Sequence, residues 1–207
     1  MMRFTTMKTK LRKYPSIFLI LLLAISSCFL TGCVNQHPKD SKKSSQGESV
    51  ETMLEITDPK EKQAVLNAKA KVKALSGNPR IVATSPAVAD ICDKLDLDLV
   101  GVPKSSVSKI PSRYKKVKKV GLAMSPDMEI VSSLNPDWIL APSSLETDLK
   151  PKFEELKNTE YAFLNLRSVQ GMYRSVQELG EIFGKQQEAE KMTKEFTTFY
   201  KSYIKRN

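Results

Sequence analysis

From residue 80 to residue 183 the chain alternates short, unbroken apolar runs with segments whose apolar positions recur every three or four residues. The first kind predicts buried strands and the second amphipathic helices. The runs are Arg80-Ile-Val-Ala-Thr84, Leu99-Val-Gly-Val102, a short one at 118–120, Trp138-Ile-Leu-Ala141 and a last one at 161–164. Between them, Ser85-Pro86 opens a helix to Leu95 with Val88, Ile91, Cys92 and Leu95 on one stripe. Ser125 reads as an N-cap with Pro126 at the first helical position, where a missing N–H costs nothing. Asp127 and Glu129 then fall in the first turn, Ile130, Val131 and Leu134 form the apolar face, and Asn135-Pro136 ends the helix. A helix is predicted over 145–157, and Ser168 caps another that carries Val169, Met172, Val176, Leu179 and Phe183 and stops at Gly184. A final helix repeats Ala189, Met192, Phe196, Phe199 and Tyr203 at alternating three- and four-residue spacing, and both closing stripes read as core seams. Strand–helix alternation of this kind predicts an α/β fold, a parallel β-sheet with helices on both faces.

The chain before residue 80 has a different character. Arg3, Lys8, Lys10, Arg12 and Lys13 precede an apolar stretch from 17 to 30, too short to span a bilayer and of the length of a signal-peptide core. It ends in Leu30-Thr31-Gly32-Cys33, which resembles a bacterial lipobox, cleaved before the cysteine and lipidated on the Cys33 sulfur. That resemblance implies a lipoprotein signal peptide at 1–32, with Cys33 held at the outer face of the cell membrane. Residues 34–57 are rich in Gln, Ser, Lys and Glu and read as a mobile tether. Asp58-Pro59 starts a Lys-rich helix with a narrow stripe of Val65, Ala68, Val72 and Leu75, ending near Ser76-Gly77. It is either a weakly docked leader or a partner-binding helix.

Charge and rare residues exclude several functions. The net charge of +10 is half leader, because the first 33 residues hold five basic and no acidic side chains. The remaining lysines concentrate at 39–73 and 104–119, without the interleaved aromatics of RNA binders. A basic tether beside an anionic membrane needs no nucleic acid to explain it. The single histidine, His37, lies in the tether, so a Ser-His-Asp site, a His-rich metal site and a His general base are all missing. Cys28 lies in the leader and Cys92 stands alone on a helical apolar stripe as a buried structural thiol. Nothing pairs an acid with a base or a base with a nucleophile, and no enzyme is expected.

Four segments carry a family likeness: Arg80-Ile-Val-Ala-Thr-Ser85, Asp93-Lys-Leu-Asp-Leu-Asp-Leu-Val-Gly-Val-Pro103, Val120-Gly-Leu-Ala-Met-Ser-Pro-Asp-Met-Glu129 and Leu134-Asn-Pro-Asp-Trp-Ile-Leu140. They resemble the N-terminal lobe of type III (cluster A-II) substrate-binding proteins of ABC importers, and within that group the Isd-type haem-binding lipoproteins. The Leu-x-Pro-Asp motif is common to siderophore and cobalamin binders and marks only the fold. The Asp-Leu-Val-Gly-Val-Pro and Gly-x-x-Met-x-Pro segments point to haem. The resemblance implies two lobes joined by one long helix, with the ligand between them. On that reading residues 33–79 are a lipid-anchored linker, 80–184 the N-terminal lobe and 185–207 the start of the interlobe helix. The resemblance then implies a truncated form that lacks the C-terminal lobe.

The same resemblance implies haem as transported ligand, with Met124 as the axial ligand to iron and a histidine from the other lobe opposite it. A thioether is a soft, neutral ligand suited to haem iron. From spacing alone Met124 reads equally as a loop hydrophobe, and Met128, in the following helix, competes with it. Haem carboxylates are expected at the turn of Ser85 and Ala87 and at the loop of Ser105, Ser106 and Val107, where backbone N–H groups are free; Pro86 offers none. Ser85 as an ordinary cap is compatible with this. Glu129 is either a helix-dipole partner or the carboxylate that docks on permease arginines. The expected partners are haem, an ABC permease with its ATPase, and the membrane; the chain is expected to be a monomer. The alternatives are a siderophore- or cobalamin-binding lipoprotein of the same fold, and a truncated remnant that binds nothing.

Overall fold

The computed structural model of the protein describes residues 3–4 and 54–206. The leader core, Cys33, His37 and residues 34–53 of the tether lie outside the described residues; its last residues are not a mobile tether, since Leu54 is buried and Ile56 packs against the core. The described part is a sheet in the order β1-β8-β7-β2-β3-β4. Five strands run parallel: β2 (Ile81–Ala83), β3 (Leu99–Val102), β4 (Lys118–Lys119), β7 (Trp138–Pro142) and β8 (Glu160–Leu164). The two-residue strand β1 (Arg3–Phe4) lies antiparallel along β8. A separate hairpin pairs β5 (Gly121–Leu122) with β6 (Ser125–Pro126).

Among the described residues these helices accompany the sheet: α1 (Pro59–Lys73), α2 (Pro86–Lys94), α3 (Met128–Ser133), α4 (Glu146–Glu154), α5 (Val169–Phe183) and α6 (Gln186–Arg206). Successive strand residues point to opposite faces, and here they build two cores. Ile81, Ala83, Trp138, Leu140, Ala162 and Leu164 join α1, α2 and α5 on one face. Val82, Ile139, Ala141, Tyr161 and Phe163 join Val131 of α3 and Leu149 and Phe153 of α4 on the other. Helices therefore cover both faces. Trp138 meets Phe183 edge-on at 5.5 Å between ring centroids, and Phe153 stacks on Phe163 at 5.8 Å. Truncating such a buried ring costs about 3–5 kcal/mol.

The predicted caps hold at Asp58, Ser85 and Ser168, each accepting a backbone N–H from the first turn. Cys92 is fully buried, and burial pushes its thiol up to about 12. Gly184 closes α5 with φ of 71°.

Four further expectations are corrected. Ser125 does not cap a helix: Ser125 and Pro126 form β6, and Asp127 is the cap of α3, accepting from the Glu129 and Ile130 N–H groups at 3.1 Å. Asp is as good a cap as Ser, and hairpin pairing claims the two preceding residues. The helix predicted to 157 ends at Glu154 and contains Pro151. The closing helix is a core seam only at its start: Ala189 is buried and Met192 packs on the core, but Phe199 and Tyr203 are 65% and 57% exposed. The leader helix is firmly docked on α5, since Val65 and Ala68 enter the core, buried Glu61 accepts from Arg174 at 2.7 Å, and Lys69 and Lys71 pair with Glu181 and Glu160.

Candidate functional site

Parallel strands deliver the loops that follow them to one edge of the sheet. In open α/β sheets that edge takes the ligand. Ser85 follows β2, Ser105, Ser106 and Val107 follow β3, and the β5–β6 hairpin follows β4. All the predicted cleft residues in these loops thus share the carboxyl-end rim.

The hairpin is built tightly. The Val120 N–H donates to the Val102 carbonyl at 2.9 Å, which prolongs the β3–β4 ladder, and the Asp127 N–H donates back to the Val120 carbonyl at 2.8 Å. Gly121 turns the chain with φ of +96°, a conformation that L side chains avoid. The register pairs Gly121 with Pro126 and Leu122 with Ser125, which leaves Ala123 and Met124 as the two-residue tip. Met124 is 73% exposed, whereas Met128, the first residue of α3, is partly buried against the core. The Lys104 N–H donates to the Gly121 carbonyl at 2.6 Å and ties the hairpin to the β3 loop. In that loop Val107 is 93% exposed, and Leu122 at the hairpin is 58% exposed. An apolar, sulfur-bearing surface therefore stands at the rim.

The polar candidates are partly engaged in local structure. Ser85 Oγ accepts from the Val88 N–H at 3.3 Å, and Ser105 Oγ accepts from the Ser108 N–H at 3.0 Å. Ser85 is buried, while Ala87 and Ser106 are exposed. Glu129 is exposed in the first turn of α3. Two features escaped the sequence reading. A cavity of about 520 Å³ lies farther along the same rim, lined by Ser143, Glu146 and Lys150 of the β7–α4 segment and by Asn165 and Arg167 after β8. Arg80 also braces the fold. Its guanidinium donates to the Leu134 and Asn135 carbonyls at the end of α3, and its N–H donates to Asp137 Oδ2 at 2.7 Å. The Leu-Asn-Pro-Asp motif thus fastens α3 and β7 to the start of β2, which explains why it marks a fold and no ligand.

Residues 81–204 match the family model described as periplasmic binding protein. The chain belongs to the periplasmic binding protein family. It is a family of binding proteins and not of enzymes. Among relatives, the high-affinity heme uptake system protein IsdE of Staphylococcus aureus (strain Newman) is 36% identical over 117 residues, 56% of this chain and 39% of that protein. The crystal structure of an ABC transporter substrate-binding protein from Listeria monocytogenes EGD-e aligns with a TM-score of 0.57 at 44% identity, covering 59% of this chain and 46% of that one. S. aureus IsdE complexed with heme aligns with a TM-score of 0.57 at 34% identity, covering 62% of this chain and 48% of that one. The chain thus covers less than half of each relative's length. Within this periplasmic binding protein, no helix of the described residues is long and apolar enough to cross a membrane, and no cluster of three or more His, Cys, Asp or Glu side chains among them could hold a metal ion.

Proposed function

We propose that the chain is the haem-binding lobe of a substrate-binding lipoprotein that serves an ABC importer. The observation that carries this reading is Met124, a thioether set almost free of its own protein at the tip of a braced hairpin on the ligand rim. A methionine placed to pack would be buried, as Met128 largely is. Val107 and Leu122 offer apolar surface to a porphyrin face, and the N–H groups around Ser85, Ala87, Ser105 and Ser106 suit its carboxylates. Likeness to relatives named for heme uptake supports the same ligand. In this account Cys33 carries the lipid that holds the protein, as a monomer, at the outer face of the membrane. Residues 80–184 form the lobe, the segment from 185 begins the interlobe helix, and Glu129 docks on the permease, which its ATPase drives.

Haemin titrated into the purified chain tests the ligand. The account expects a Soret shift that is lost in Met124→Ala and kept in Met128→Ala. Equal shifts in the parent and in Met124→Ala remove Met124 from the site. Tighter binding of a ferric siderophore than of haemin transfers the lobe to the siderophore binders.

A further inference from the structure

The charge of the lobe is divided by segment. Residues 80–184 hold as many basic as acidic side chains, yet 104–119 contains seven Lys and Arg and no Asp or Glu. The rest of that span carries seven basic against fourteen acidic residues. One continuous piece of chain thus concentrates half of the positive charge.

The structure holds this piece at the outer margin of the sheet. It leaves the rim after β3, crosses to the opposite edge and returns as β4, the last strand in the sheet order. Its middle is pinned: the Tyr114 ring is buried with its hydroxyl donating to the Leu97 carbonyl at 2.6 Å, and Arg113 bonds Asp96 and Asp98 at 2.9 and 2.7 Å. Arg113 is therefore neutralised, but the lysines are not. Lys104, Lys109, Lys115, Lys116 and Lys118 are exposed and Lys119 is half-buried. None of the six forms an ion pair or side-chain hydrogen bond with a described residue. Lysines outside this margin, at 69, 71 and 185, do find carboxylates.

Lysine on an edge strand keeps sheets from pairing edge to edge. That accounts for Lys118 and Lys119, but not for Lys104, Lys109, Lys115 and Lys116, which lie outside the strand. We propose that this margin is an electrostatic docking surface for an anionic phospholipid membrane, on which the lobe rests through its unpaired lysines. The chemistry is complementary: a flat, polyanionic surface suits a row of mobile cations, and each lysine near such a surface changes partitioning about fivefold. A chain tethered by a lipid at Cys33 would meet that surface continually. The proposal depends on this anchor for its setting, but not on haem as ligand.

The test compares the full chain with a Lys109→Gln, Lys115→Gln, Lys116→Gln, Lys118→Gln variant on phosphatidylglycerol-containing and pure phosphatidylcholine vesicles. The basic leader is common to both chains and cancels in the ratio. The variant should lose at least about tenfold in partitioning to anionic vesicles, and the difference should vanish in high salt, where charges a few ångströms apart are screened. In the parent, backbone amides of 104–119 should gain protection from hydrogen exchange on anionic vesicles alone. Equal partitioning of the two chains overturns the proposal. So does a variant that keeps its vesicle binding while losing association with an ABC permease, which would assign the margin to a protein. Haemin titration of the same variant should match the parent, so failure here and failure of the haem reading are separable.

Discussion

Gly121 is the point at which the site can be damaged without touching any proposed ligand-binding group. A Cβ there would stand 2.9 Å from the Asp127 nitrogen, 3.0 Å from the Ser125 carbonyl oxygen and 3.3 Å from the Pro126 Cα. All three are backbone atoms of the hairpin and cap, so none can swing aside as a side chain would. The φ of +96° adds about 1–2 kcal/mol for any L residue. Strain and clash together put Gly121→Ala at about 2–4 kcal/mol of destabilisation. Gly184 is the control, because its φ is +71° but nothing lies within 4 Å of its missing Cβ. Gly184→Ala should cost about 1 kcal/mol. Urea denaturation of the two variants and the parent supplies the numbers, and thermal midpoints should fall by about 5–12 °C for the first variant. The haemin response of Gly121→Ala should weaken under conditions where the variant is still folded, because Gly121 also accepts the bond from the β3 loop. Equal cost for the two alanines would refute the crowding argument and leave only the dihedral.

Two further predictions concern buried groups. Glu178 is fully buried near Glu61, and burial first, then the neighbouring Glu61 carboxyl, pushes it up to about 8, against the pull of Arg174. A carboxyl raised in the folded state stabilises in full below its unfolded value and loses that contribution as pH rises through the folded one. Glu178→Gln should therefore match the parent in denaturation midpoint at pH 5 and exceed it at pH 9; a variant less stable at both would contradict this. Cys92, fully buried with its thiol raised, should resist a thiol reagent at pH 8 until denaturant unfolds the chain, and rapid labelling of the folded protein would refute its burial.

Most of the lobe was legible because strands and helices announce themselves by different periods, and Asp58, Ser85 and Ser168 mark their helices with the residue that satisfies the first turn. The β5–β6 hairpin was not legible. Its tip, Ala123-Met124, has none of the Gly, Asn or Asp residues that usually betray a two-residue turn. The positive dihedral is taken two residues before the tip, at Gly121, and Ser125-Pro126-Asp127 offers two plausible caps in three residues. The error moved the cap by two positions but left Met124 in the loop, so the proposed ligand survived a wrong boundary. The final helix misled differently. Its stripe runs evenly to Tyr203, but periodicity reports which face is apolar and not how far the rest of the fold extends to cover it.

The central claim is a bond between the Met124 sulfur and porphyrin iron. X-ray absorption at the iron edge of the haemin-loaded chain reads it directly. The account predicts a sulfur scatterer in the iron coordination shell of the parent that disappears in Met124→Ala. A shell of nitrogen and oxygen alone in the parent would contradict it.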